Sequence, residues 1–188
     1  MEIILDTDGV LLNWRASFNS WLVENKFLSD HSIWNPRDYD YSKYSTFPGS
    51  KDSASRLDRE LVAFFNETYH ISKLSPIRGA VKAINMLHKE GASLKVVTSF
   101  SDKYESMRMR EKNLIDVFGN VFQDIVCLKL RESKRDFLSK QDKNSYFVED
   151  SPTHIQEAID VGFYADSCYL VSHPYNLKRD LTVAVKRC

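Results

Sequence analysis

Ten residues near the start, Ile3-Ile4-Leu5-Asp6-Thr7-Asp8-Gly9-Val10-Leu11-Leu12, constrain the fold of this chain more than any other stretch. A run of branched apolar residues stops at two carboxylates one residue apart, and a glycine follows at once. Such a run reads as a short strand buried on both faces, the kind found in parallel sheets. Open α/β sheets place their ligands beyond the carboxyl ends of the strands, where Asp6 and Asp8 fall. Residues two apart in an extended segment project to the same side, so both carboxylates can address one bound group. Gly9 lets the backbone turn tightly and bring its N–H groups near an anion. Asp-x-Asp-Gly also occurs in plain turns. A calcium loop begins in the same way, but it needs an oxygen ligand at its fifth position and Glu at its twelfth, where this chain has Val10 and Ser17. Calcium is thereby disfavoured. The choice between turn and active site rests on partners at other strand ends.

The rest of the chain supplies them. Trp14, Phe18, Trp21 and Leu22 recur at helical spacing, predicting a helix from Asn13 to about Lys26. Ser29 to Asp52 is irregular but rich in aromatic residues, and Leu57, Leu61, Phe64 and Phe65 restore a helical stripe. Residues 14–75 therefore read as a small, mostly helical insert. From Pro76 onward strands and helices alternate. A helix carrying Val81, Ile84 and Leu87 ends at Gly91, and Leu94 to Ser99 is a strand with hydroxyls at its end. A helix follows over Lys103 to Asn113, then a strand over Gln123 to Leu128. Ser133 caps a helix beginning at Lys134. Tyr146 to Val148 is a strand running into Glu149-Asp150, and Ser151-Pro152 is a helix start. The helix with Ile155 and Ile159 stops at Gly162, and Cys168 to Val171 is a fifth strand. This alternation predicts an α/β fold, a Rossmann-like parallel sheet flanked by helices, with the helical insert after the first strand.

In a parallel sheet Asp6 and Asp8, Thr98 and Ser99, Lys134, and Glu149 and Asp150 come to one edge. Carboxylates packed so closely repel each other unless a cation joins them. A hard divalent ion such as Mg2+, bound by oxygen ligands, resolves the repulsion. Lysine and hydroxyls then suit the oxygens of a phosphoryl group, because phosphoryl transfer depends mainly on positioning and charge stabilisation. Lys129 is an alternative to Lys134 as the lysine of the site. Arg108 and Arg110 read as a solvated helix face.

The bulk properties narrow the partners. Lys and Arg number 26 and Asp and Glu 26, giving zero formal charge, which argues against duplex nucleic acid as a partner. No apolar run has the length of a membrane span, and no basic-then-apolar leader is visible. Cys127, Cys168 and Cys188 show no metal-ligand spacing and read as reduced thiols of a cytoplasmic protein. Asn66-Glu67-Thr68 matches the glycosylation sequon by chance. A homodimer is compatible with the sequence.

Taken in order, Asp-x-Asp-Gly-Val after an apolar strand, Val-Val-Thr-Ser, a lysine before a helix and Val-Glu-Asp-Ser-Pro resemble the haloacid dehalogenase superfamily of phosphotransferases. The resemblance covers roughly 1–13 and 76–188 as catalytic core and makes 14–75 a cap. It implies that Asp6 attacks phosphorus and that Asp8 serves as general acid and then base. It assigns magnesium to Asp6, the backbone carbonyl of Asp8, and Asp150, with Glu149 in an outer role. Thr98, Ser99 and the Gly9 turn would bind the phosphoryl group, and Lys134 would stabilise it. The second aspartate implies a phosphatase, since a halide leaving group needs no acid. The insert size, Pro76–Gly79, Thr98-Ser99 and His173-Pro174-Tyr175-Asn176 are similar to the 5′(3′)-deoxyribonucleotidase family. That family usually carries two aspartates where Glu149 and Asp150 stand, and Leu12-Asn13 replaces its small-acidic continuation. This likeness implies a nucleoside monophosphate substrate, with Trp34 and Tyr44 among the residues that would hold the base. A phosphatase for another small phosphometabolite and a non-catalytic binding protein are the alternatives.

Overall fold

A computed structural model describes residues 1–27, 59–177 and 185–188. Among the described residues, six strands form one sheet: β1 (Glu2–Leu5), β2 (Ser93–Ser99), β3 (Phe122–Leu128), β4 (Tyr146–Glu149), β5 (Cys168–Leu170) and β6 (Lys186–Arg187). Their order is β3-β2-β1-β4-β5-β6, and every pairing is parallel. The helices are α1 (Trp14–Glu24), α2 (residues 59–65), α3 (Ala80–Lys89), α4 (Tyr104–Phe118), α5 (Arg135–Ser139) and α6 (Pro152–Asp160). The alternation expected from the sequence is the alternation observed.

Alternate residues of β1 explain why the sheet is covered on both sides. Ile3 and Leu5 face one way and join Leu94 and Val96 of β2, Ile84 of α3, and Leu114 and Phe118 of α4. Ile4 faces the other way and joins Val97, Phe147, Leu138 of α5, and Ile155 and Ala158 of α6. Phe18, Trp21 and Leu22 of α1, with Phe65, Ile71 and Leu74, belong to the first of these clusters. Phe18, Trp21 and Leu22 of the α1 stripe are thus core, as their spacing implies, while Trp14 is half-buried against them. Asn13 caps α1 through its side-chain oxygen, which accepts the Ala16 N–H at 3.2 Å.

Boundaries shift by one to five residues at some ends. The helix expected from Lys134 begins at Arg135, whose N–H donates to the Ser133 hydroxyl at 3.1 Å. The helix expected to stop at Asn113 continues to Phe118 and ends at Gly119. β6 was not expected: it is two basic residues pairing with Tyr169 and Leu170, too short and polar to carry a periodic signal. Asn66, of the sequon match, is buried; its side chain accepts from Trp14 Nε1 at 2.8 Å and donates to the Phe100 carbonyl at 2.9 Å. Cys127, Cys168 and Cys188 are free thiols. No helix among the described residues is long and apolar enough to cross a membrane.

Candidate active site

Strand register fixes where the carboxylates meet. Leu5 pairs with Val96 on one side and Val148 on the other, so Asp6 stands level with Glu149. The Asp6 N–H donates to the Val148 carbonyl at 2.9 Å, which ties the two strand ends together. Beyond Asp6 the chain closes a tight loop in which the Thr7 carbonyl accepts from Leu11 and Leu12 at 2.9 and 2.8 Å. Gly9 takes φ +84° inside this loop, and a Cβ there would strike the Asp150 carboxylate and approach the Tyr175 hydroxyl at 2.8 Å. Both the backbone conformation and the space demand glycine.

Lys134 lies at the centre, with its side chain 1% exposed. Its Nζ donates to Asp6 Oδ1 at 2.5 Å and to Glu149 Oε2 at 2.6 Å. The Lys134 backbone N–H donates to Glu157 Oε2 at 3.0 Å, and that oxygen also meets His154 Nδ1 at 2.9 Å. Lys129, the alternative, has a 70% exposed side chain that reaches Asp102 at 3.6 Å. The geometry therefore brings Lys134, and not Lys129, to the carboxylates.

Asp6, Glu149 and Asp150 each offer an oxygen within 4.8 Å of the others. Burial first, and then the Glu149 charge, push the Asp6 carboxyl up to about 7, against the pull of Lys134. Burial, Glu149 and Asp6 together hold Asp150 well above the usual carboxylate range. Glu149 moves the other way: burial opposes its charge, but Lys134, His154 and a side-chain hydrogen bond with the Asp150 carboxyl outweigh it. Lys134, despite burial, is raised by Asp6 and Glu149. One buried lysine does not neutralise three carboxylates, of which Asp6 and Glu149 are buried and Asp150 half-buried, so the cluster suits a further cation. All its donors are hard oxygens, the set Mg2+ prefers. The Glu149 oxygens are engaged, Oε1 accepting the Asp150 and Ser151 N–H groups at 2.9 and 3.0 Å and Oε2 accepting from Lys134. These bonds suit Glu149 to orienting its neighbours.

A cleft of about 380 Å3 opens over this cluster. Asp6, Asp8, Gly9, Thr98, Ser99, Lys134, Glu149 and Asp150 all line it. Thr98 is buried, and the Ser99 hydroxyl donates to the Glu132 carbonyl at 2.9 Å. Trp14 and Arg15 of α1 and Val62 of α2 also line it. Trp34 and Tyr44 lie outside the described residues.

Arg110 departs from expectation. It is fully buried rather than solvated, and its guanidinium meets Asp8 through two bonds, Nη1–Oδ1 at 2.6 Å and Nη2–Oδ2 at 3.0 Å. It also lies over the Phe100 ring at 4.6 Å. Burial still holds the Asp8 carboxyl above its ordinary range, with Arg110 opposing. A signal was present in the sequence: Arg110 precedes Leu114 by four residues and Phe118 by eight, on the inward stripe of α4 that also holds Ser106 and Asn113. Counting only apolar residues hides such a stripe. Tyr175 was singled out without a contact; its hydroxyl donates to Asp150 Oδ2.

A family model described as haloacid dehalogenase-like hydrolase matches residues 3–164. A 32.4 kDa protein from the Gp30–rIII intergenic region of Enterobacteria phage T4 is 24% identical over 164 residues, which cover 85% of this chain. The chain spans 57% of the length of that relative. Among solved structures, a Lactobacillus delbrueckii subsp. bulgaricus protein assigned as a phosphoglycolate phosphatase is similar with a TM-score of 0.61 and 17% identity, over 98% of this chain and 93% of that one. YfnB from Bacillus subtilis, bound to magnesium, gives 0.60 and 14%, over 100% and 93%. CbbY from Rhodobacter sphaeroides, in complex with phosphate, gives 0.57 and 15%, over 100% and 92%. At these identities the solved structures speak for the fold alone. The family model spans the sheet from β1 to the end of α6, and the chain belongs to the haloacid dehalogenase-like hydrolase family.

Proposed function

We propose that this protein is a magnesium-dependent phosphatase that hydrolyses a nucleoside monophosphate, with a deoxyribonucleotide preferred. The observation that carries the reading is the convergence of Asp6, Lys134 and Asp150 at the floor of one cleft, with Asp8 beside them. An Asp6 oxygen attacks phosphorus, the bond to the ester oxygen breaks, and Asp8 supplies the proton that the leaving alcohol takes. Asp8 then removes a proton from water, which attacks the aspartyl-phosphate and releases inorganic phosphate and free Asp6. Thr98, Ser99 and the N–H groups of the Gly9 loop receive the phosphoryl oxygens. Lys134 holds the Asp6 carboxylate in place and offsets charge on the transferring group.

Asp6, Asp150 and the Asp8 backbone carbonyl would hold Mg2+, with Glu149 orienting Lys134 and the Asp150 backbone. When bound, Mg2+ neutralises the repulsion between the nucleophile and the phosphate. Arg110 holds Asp8 by both oxygens, fixing its carboxylate at the cleft edge.

The nucleotide reading rests on the apolar part of the cleft lining. Trp14 and Val62 offer apolar side chains to the cleft, and base–aromatic stacking contributes about 1–3 kcal/mol per base. Residues 14–75 act as a cap in this reading, α1 and α2 supplying the surface that meets the leaving group. The names of the solved relatives favour a second substrate class, small phosphorylated metabolites. Phosphate release from dAMP, dUMP and dTMP, compared with hexose phosphates and phosphoglycolate, in Mg2+ and in chelator, separates the two. Faster release from the deoxynucleotides is expected. Faster release from the metabolites removes the nucleotide reading, and no release from any ester removes the phosphatase.

A further inference from the structure

The turn His173–Asn176 follows β5 and takes no part in the roles assigned above, yet it grips both sides of the carboxylate cluster. It is closed on itself by Asn176 N–H to the His173 carbonyl at 2.9 Å and by His173 N–H to Asn176 Oδ1 at 3.0 Å. From this closed turn four contacts reach the strand ends and the Gly9 loop. The Tyr175 hydroxyl donates to Asp150 Oδ2, and the Asn176 side-chain amide donates to the Asp150 carbonyl and to the Val171 carbonyl, each at 2.8 Å. His173 Nε2 meets the Gly9 carbonyl at 2.6 Å. The Tyr175 ring is in turn held by two contacts, with His173 stacked at 4.9 Å and 9° and the Arg15 guanidinium 4.2 Å from its centroid.

Asp150 is therefore held by its backbone oxygen, by one carboxylate oxygen, and by the bare face of Gly9, where no Cβ fits. Anchoring Oδ2 fixes the rotation of the carboxylate and so decides where Oδ1 lies. We propose that this turn is a brace that presents the Asp150 carboxylate to the divalent cation, with Tyr175 as its positioning residue. The inference rests on the assignment of Asp150 as a cation ligand, and not on which ester is hydrolysed. Tyr175 never touches the reacting atoms in this account; it acts through Asp150. Outer partners that orient a ligand commonly change metal affinity by about 10–100-fold when removed.

Tyr175→Phe removes only the hydroxyl and keeps the ring that contacts His173 and Arg15. Mg2+ binding to the wild type, Tyr175→Phe, Asp150→Asn and the double variant is measured calorimetrically, with Mn2+ binding by electron paramagnetic resonance as a second readout. Thermal unfolding in chelator is followed in parallel. The expected result is a dissociation constant at least about ten-fold higher for Tyr175→Phe, with an unchanged unfolding profile in chelator. In the Asp150→Asn background, loss of the hydroxyl produces no further change. Three results overturn the proposal: equal Mg2+ affinity in wild type and Tyr175→Phe, no Mg2+ binding by the wild type at millimolar concentration, or a Tyr175→Phe protein that does not fold. Because the readout is cation binding, a failure of ester hydrolysis bears on the phosphatase and leaves this result to stand or fall separately.

Discussion

Replacing Asp6 with Asn tests the electrostatics of the cluster without touching its shape. The folded protein raises the Asp6 carboxyl from 3.8 to about 7, chiefly through burial and then through the Glu149 charge. A group whose folded pKa exceeds its unfolded value binds its proton more tightly in the native state. Its contribution to stability is therefore complete below about pH 4 and is lost as the pH climbs to about 7. At about 1.4 kcal/mol per pKa unit, a shift of roughly three units sets an upper limit of about 4 kcal/mol on the cost of the ionised group at pH 8. Asp6 lines the cleft, so water and side-chain relaxation reduce that limit, and we expect about 1–3 kcal/mol. Asp6→Asn should thus be more stable than the wild type at pH 8 in chelator, and should lose that advantage by about pH 4. The measurement is urea unfolding of both proteins from pH 4 to 8, taken as a difference so that titrating groups outside the cluster cancel. Added Mg2+ should stabilise the wild type and reduce the gap. A variant less stable than the wild type at pH 8 in chelator, or a gap independent of pH, would refute the reasoning. Turnover by Asp6→Asn should be absent, since the nucleophile is gone.

Arg110→Met should destabilise the fold by about 1–3 kcal/mol, the range for a charged hydrogen bond broken with one partner left behind, because Asp8 retains 26% side-chain exposure and water replaces part of the loss. A double-mutant cycle with Asp8→Asn in urea should show a coupling above about 1 kcal/mol, the scale of contacting groups; additive effects would mean that the pair does not act as a unit. Gly9→Ala should cost at least about 1–2 kcal/mol from its left-handed backbone alone. Its new methyl displaces Asp150 or Tyr175, so Mg2+ binding should weaken with it. A Gly9→Ala protein with wild-type stability in a urea titration and wild-type Mg2+ affinity would contradict both arguments.

The alternation of strand and helix was legible because the strands of a sheet covered on both faces are short, continuous apolar runs. Ile3 to Leu5, Leu94 to Val97 with only Lys95 interrupting it, and Tyr146 to Val148 each stop where the chemistry begins. Helix ends were less legible. α4 runs through Leu114 and Phe118 because those residues are needed under the sheet, although the polar stretch before them resembles a finished helix. β6 escaped because its pairing is a tertiary event: Lys186 and Arg187 add to β5 without any alternation of their own.

The same distinction separates the visible from the hidden parts of the site. Groups at the ends of apolar runs, Asp6, Thr98 and Glu149-Asp150, announce themselves by position, since the strand that carries them can be read locally. Lys134 needed one further step, because its chain direction is set by a helix start, and the Ser133 hydroxyl supplies that signal. Arg110 and Tyr175 reach the cluster from α4 and from the turn after β5, over sequence separations of 102 residues to Asp8 and 25 to Asp150. No local pattern reports such a meeting. What local sequence does report is the anomaly that follows: an arginine placed on the inward stripe of a helix must find an anion there, since a buried guanidinium without one costs several kcal/mol. In this fold an anion available to α4 is Asp8, at the end of the central strand. The polar residues of an otherwise apolar helical stripe are therefore the positions from which a second layer of an active site can be sought.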